Sequence, residues 1–375
     1  MTDARDRDGQ LAILLGFLDH DPNNAALLVD AAEAAIDAGE PDQATALLER
    51  AAAVRKPTQR EGNLAGLAAL RGRRFEDAAA VFAALLDDGA DEPALRFNLA
   101  WARTMTGDRD GALAVLDDRT AEELPQAAAL DVQLLHTIGR LDEAFDRGKR
   151  YLTLHPDAPA LAAAMSVLAI DMGDEALAAA CAEKAPGHPD ALATLGTLAL
   201  GSDNAVGAEA LFDAAIAGGA NVPRAWVGRG LAYMLAGKPD QAPADIDRGA
   251  AMFGDHLGSW IAAGWAHFIA GDATTSRTRF EHALALDPTF AETHGSLAVL
   301  DALAGDIARA RERASVALRL DRNGFSAALA MALVNAAGGD AAQSRAIVER
   351  ALHMPIDGGT KTLAQSLARM GMNFA

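Results

Sequence analysis

Only one cysteine, Cys181, occurs in the 375 residues. A single thiol can form no internal disulfide and no zinc finger, so nothing in the chain calls for an oxidising compartment. Aromatic residues are scarce too, at 5% against 51% hydrophobic residues in all. An apolar supply made mostly of small, alanine-rich side chains suits close helix-on-helix packing. Sandwiches and barrels favour aromatic and β-branched residues instead. Positive charge is also short: 33 Lys and Arg face 52 Asp and Glu, a formal net charge of −19. That balance opposes binding to phosphate backbones, whose affinity comes from many Lys and Arg contacts. No charge-free apolar run reaches the roughly 18 residues of a transmembrane helix. The N-terminus, MTDARDRDGQLAILLGFLDHD, has neither a basic n-region nor a small-residue cleavage site. The expectation is a cytoplasmic protein with no nucleic-acid partner and no membrane insertion.

What the chain does have is a repeat. A Gly-polar-x-polar-x-Ala motif recurs as GEPDQA, GDRDGA, GRLDEA, GKPDQA and GDIARA, ending at Ala44, Ala112, Ala144, Ala242 and Ala310. RRFEDA, ending at Ala78, is a variant whose glycine falls one residue early, at Gly72. Filled in, the register runs Ala44, Ala78, Ala112, Ala144, Ala178, Ala208, Ala242, Ser276, Ala310, Ser344. Its steps are 34, 34, 32, 34, 30, 34, 34, 34 and 34 residues. Within each unit an apolar segment at helical spacing runs up to a glycine such as Gly107, Gly237, Gly271 or Gly305, which supplies the left-handed residue that ends a helix. Acidic residues follow, suited to the start of a second helix. That helix closes near Asp21-Pro22, His155-Pro156 or Asp287-Pro288, since proline cannot continue a helix.

With these features the sequence resembles the tetratricopeptide repeat family, whose unit is a 34-residue antiparallel helix pair. The unit from Pro223 matches the family pattern with Trp226, Gly230, Tyr233 and Ala242, with Gly249 where Ala is usual. The unit from Leu257 matches with Trp260, Gly264, Phe280, Ala283 and Pro288. Weaker units begin at Ala25, Gln59, Pro93, Pro125, Pro159, Pro189, Ala291 and Phe325. The resemblance implies an all-α, right-handed superhelical solenoid. Residues 1–24 form an N-terminal capping helix carrying Leu11, Leu14, Leu15 and Leu18. Ten repeats fill 25–358, and a C-terminal cap with Leu363, Leu367 and Met370 fills 359–375. The 30-residue step, through APGHP, truncates a second helix and predicts an irregularity, a candidate hinge, at 181–189.

Catalytic chemistry is hard to place on this chain. The nine histidines are scattered. His256, His267, His282 and His294 gather in the eighth and ninth units, but without HExxH or an acidic ligand at fixed offset. No GxxxxGK[ST] loop and no strand-linked GxGxxG occurs. The expectation is a non-enzyme with no cofactor and no metal. One polar constellation stands apart: His267, Asp301 and Asn335 each fall 34 residues from the next, at the eleventh position of successive units. A stacked polar ladder is predicted there, structural or proton-linked.

The family's usual binding surface is the concave face of the first helices. Reading the inward positions gives an apolar list: Phe97, Trp101 and Met105; Val227, Leu231, Met234 and Leu235; Ile261, Trp265, Phe268 and Ile269. Val299, Leu303, Leu329 and Leu333 extend it. Trp226 and Trp260 take the structural fourth position, whereas Trp101 and Trp265 take the ninth, which faces a ligand. The few inward basic residues, Arg60, Arg71 and Arg224, do not make the family's carboxylate clamp. Exposed apolar surface with aromatic anchors marks an interaction site. The reading is a scaffold or adaptor that buries an apolar or amphipathic protein segment, with acidic surroundings that select basic flanks. A receptor for a small amphipathic ligand and a homodimerising solenoid stay open beside it.

Overall fold

Proline opens helices all along this chain. Pro93, Pro125, Pro159, Pro189 and Pro223 each occupy the first turn of a helix, where the missing N–H costs nothing and the fixed φ is already helical. The computed structural model describes residues 2–219, 221–339 and 346–347, and it is helical throughout, with no strand among the described residues. The register position Ser344 and the C-terminal cap expected at 359–375 lie outside them.

The chain divides into two compact units, Met1–Ala185 and Pro186–Ala375. The first holds α1 (Thr2–Leu18), α2 (Ala25–Ala38), α3 (Pro41–Val54), α4 (Gln59–Arg71), α5 (Phe75–Asp87), α6 (Pro93–Met105), α7 (Arg109–Val115), α8 (Asp118–Glu123), α9 (Pro125–Thr137), α10 (Leu141–Leu154), α11 (Pro159–Asp171) and α12 (Glu175–Glu183). The second holds α13 (Pro189–Gly201), α14 (Ala205–Gly218), α15 (Pro223–Leu235), α16 (Ala242–Phe253), α17 (Leu257–Ile269), α18 (Ala273–Leu286), α19 (Ala291–Leu303), α20 (Ile307–Leu320) and α21 (Phe325–Ala337). After α1, helices pair as first and second members of successive repeats.

Each pair closes by size complementarity. The eighth residue of the first helix faces the twenty-fourth of the unit, on the second helix. Where the former is glycine, the latter is large. A Cβ on Gly66, Gly196, Gly230 or Gly264 would lie 2.2–2.7 Å from the side chain of Phe82, Phe212, Ile246 or Phe280. All four of those large side chains are fully buried. In the unit from Pro125 the sizes are exchanged: Val132 stands on the first helix and Gly148 on the second. Gly249 has the same origin, because a Cβ there would meet the Val227 nitrogen and the Pro223 carbonyl at 2.8 Å.

Left-handed residues end the first helices. Gly107 and Gly271 adopt φ 86° and 87°. Where the glycine falls early, at Gly72, Arg73 takes φ 58° itself, a conformation costing an L-residue about 1–2 kcal/mol. Two units are irregular. The second helix of the unit from Pro93 breaks at Leu116, and Asp117 caps α8 by accepting a hydrogen bond from the Thr120 N–H at 2.8 Å. α12 has nine residues, against fourteen in α10 and α14.

In the first unit, Leu11 and Leu18 of α1 are buried against α2. A polar node lies deeper: the fully buried Tyr151 donates its hydroxyl to Asp131 at 3.1 Å, and Arg147 reaches the same carboxylate at 3.3 Å. Burial, then the Asp131 charge, pushes the Tyr151 phenol up to about 12.

Candidate interaction surface

The small eighth residue also decides what the first helices show outward. It turns one stripe of each first helix onto the second helix, and the residues at positions nine, twelve and thirteen onto the opposite side. In the first unit that exposes Trp101 and Met105 on α6, with Phe97 half-buried beside them and its ring 6.5 Å from that of Trp101. Polar pairs occupy the corresponding face on neighbouring helices: the ion pair of Arg60 with Glu33 at 2.5 Å, and the hydrogen bond of His136 with Asp171 at 2.9 Å.

The second unit carries the longer apolar row. Leu231 on α15 is 36% exposed, Ile269 on α17 47% and Leu303 on α19 55%. Val227, Met234, Leu235 and Phe268 are half-buried between them. Three expectations need correction. Ile261 does not face outward; it is buried against Phe280 and Leu297 in the core, because Gly264 admits the Phe280 ring beneath α17. Trp265 is half-buried, with its ring edge-on to Phe280 at 5.5 Å and to Phe268 at 5.6 Å. Val299 is likewise core.

His267 and Asp301, the first two residues of the expected ladder, are bound to other groups. His267 Nε2 meets Asp247 Oδ2 at 2.9 Å, on the preceding second helix. Asp247 is also held by Arg279 at 2.7 and 2.8 Å. Burial raises the Asp247 pKa, but the hydrogen bonds from Arg279 and His267 outweigh it and leave the carboxyl below its ordinary value. The buried Asp301 accepts from Arg277 at 2.8 Å and faces Arg313 at 3.0 Å, with Arg309 at 3.8 Å. Burial, and the like charges of Arg309 and Arg277, lower the Arg313 pKa against the pull of Asp301. Asn335 is half-buried on α21. The aspartate of the expected ladder is the readable signal for this arginine cluster, but its members sit on second helices, where first-helix positions do not reveal them.

The other histidines of this region also have local roles. His256 caps α17 through Ser259, His282 lies against Trp260 with ring centres 4.3 Å apart, and His294 meets the Pro288 carbonyl at 2.8 Å. The structural tryptophans behave as their position implies: Trp226 is buried, with the guanidiniums of Arg229 and Arg248 4.8 and 4.0 Å from its ring centre. A cavity of about 420 Å³ opens between α17, α18 and α19, lined by Phe268, Leu300 and Leu303 with Arg277, Thr278 and Glu281. Sequence reasoning also missed Glu292. It stands at the second position of α19, where its carboxylate accepts hydrogen bonds from Ser326 on α21 and Trp265 on α17.

Residues 63–128 and 193–256 match the family model of the tetratricopeptide repeat. Among curated proteins none matches the chain. Among solved structures, the human IFIT1 dimer with m7Gppp-AAAA is similar, at 13% identity over 94% of each chain and a TM-score of 0.52. A monomeric mutant of IFIT1 with Gppp-AAAA is similar at 12% identity over 88% of this chain and 90% of that one, with a TM-score of 0.51. At these identities the likeness is one of fold.

Proposed function

Because the chain is a tetratricopeptide-repeat protein, we propose that it is a non-enzymatic interaction scaffold whose second unit docks an apolar or amphipathic protein segment along α15, α17 and α19. The observation that carries this reading is that Leu231, Ile269 and Leu303 are open to solvent on three successive first helices. Exposed apolar side chains that form a contiguous patch mark an interaction surface. Trp101 and Met105 offer a smaller anchor of the same kind in the first unit. The ligand m7Gppp-AAAA carried by IFIT1 is polyanionic, whereas this chain has a net charge of −19, and the proposal is a protein partner.

The test is capture of binding partners by the full-length protein, followed by mass spectrometry, with matched surface variants. Ile269→Ser with Leu303→Ser is expected to lose the captured set at least tenfold. Val206→Ser, at a residue 78% exposed on α14, is expected to keep it. A set retained by the double variant sinks the reading. Should the double variant instead convert a dimer to a monomer by light scattering, the row is a homodimer interface.

A further inference from the structure

Burying a carboxylate is costly unless a cation or several donors compensate it. In this protein the rule is obeyed by guanidiniums: the buried Asp131 and Asp301 and the half-buried Asp245 and Asp247 each have an arginine nitrogen within 2.6–3.3 Å. Glu292 departs from it. Among the described residues its donors are the hydroxyl and the backbone N–H of Ser326 and the Trp265 indole N–H, all neutral, and a second carboxylate, Asp321, adds a like charge. Burial is the main cause that raises its pKa, against those three hydrogen bonds.

The backbone explains the placement. Gly295 lets α19 and α21 meet closely, since a Cβ there would lie 2.7 Å from the Ala327 nitrogen. That approach brings Ser326 onto Glu292, one repeat away from Trp265. Trp265, Leu329 and Leu333 are partly buried and pack against one core cluster of Ala298, Val299, Ala314 and Ala330. The carboxylate, which stays partly open to solvent, therefore sits in an apolar setting beside an indole. Folding has already removed part of its water, so a cation arriving with a ligand gains attraction without repeating that cost. Arginine fits best, because its weakly hydrated planar guanidinium can stack on an indole while donating two hydrogen bonds to a carboxylate.

We propose that Glu292 and Trp265 form a reading site for a basic side chain, arginine before lysine, carried on the amphipathic segment that docks on the second unit. This rests on the scaffold reading, and it assigns one residue to the selection of basic partners. Random peptides displayed on phage and selected on the full-length protein test it, with Glu292→Gln and the Ile269→Ser, Leu303→Ser double variant as parallel baits. Peptides won on the wild type are expected to carry an arginine at a fixed place. Replacing that arginine by citrulline should weaken binding about tenfold on the wild type and less than about twofold on Glu292→Gln. Peptides that the double variant releases but that show no basic preference, or whose preference survives Glu292→Gln, overturn the site and leave the scaffold standing. A selection yielding no peptide that the double variant releases overturns both. Glu292→Gln should also raise the thermal midpoint of the free protein at neutral pH; a lowered midpoint shows that a cation of the protein's own already meets Glu292, and the site falls.

Discussion

Two half-buried carboxylates in the second unit, Asp247 and Glu292, are shifted in opposite directions. Arg279 and His267 hold Asp247 below its ordinary pKa, so its charge contributes stability at neutral pH that is lost as pH falls through its folded value. Glu292 has the reverse sign: its pKa is raised, and stability is lost as pH rises through the folded value. The substitutions Asp247→Asn and Glu292→Gln should therefore show mirrored pH profiles. Asp247→Asn is expected to cost about 1–3 kcal/mol near neutrality, the range for hydrogen bonds to charged groups, with the deficit shrinking towards about pH 3. Glu292→Gln should match the wild type in acid and exceed it in stability as pH rises. Thermal midpoints of the three proteins across that pH range check both signs, and parallel profiles would refute the assignment of either partner set.

Helix starts in this chain are legible because they are dictated locally. Pro125 or Pro223 needs no tertiary information to open α9 or α15, and the Gly107 and Gly271 turns follow from backbone sterics alone. The break between α7 and α8 is different. The 32-residue step from Ala112 to Ala144 shows that two residues are missing, but not where the helix yields. It yields at Leu116 because Asp117 competes for the backbone, capping the Thr120 N–H while Arg96 approaches the same carboxylate at 3.5 Å. Burial raises the Asp117 pKa, and the Thr120 hydrogen bonds with the Arg96 charge more than reverse it. Asp117→Ala should thus loosen α8 by about 1–2 kcal/mol, the worth of a good cap. Amide exchange across 118–124 should quicken about tenfold or more, with exchange in the second unit unchanged. An unchanged rate would mean that packing against α9, and not the cap, holds α8. The orientation of Ile261 and the partners of Asp301 were illegible for a related reason. A positional pattern gives the average direction of a side chain, whereas here the Phe280 ring under Gly264 and arginines on second helices decide the outcome.

Charge and cores divide along the chain in the same way. Each unit has its own fully buried large side chains: Leu28, Phe82, Leu135 and Tyr151 in the first, Phe212, Ile246, Phe280 and Leu297 in the second. Repeat proteins draw their stability from neighbouring repeats, so each unit holds what it needs to fold alone. The acidity is not shared. Residues 1–185 hold 18 Lys and Arg and 33 Asp and Glu, a net of −15; residues 186–375 hold 15 and 19, a net of −4. Surface ion pairs such as Arg150 with Asp118 contribute little each and weaken in salt. The self-repulsion of fifteen uncompensated charges also weakens in salt, and for the first unit it is the larger effect. Expressed separately, 1–185 and 186–375 should both be helical and melt cooperatively. Raising the salt from about 0.02 M to about 0.5 M, which shortens the screening length several-fold, should lift the midpoint of the first fragment by several degrees and move that of the second much less. A first fragment that stays unfolded at high salt would show that its core is insufficient alone. A midpoint that falls with salt would show that the ion pairs outweigh the repulsion, and that the acidic surplus is spread too widely to strain the fold.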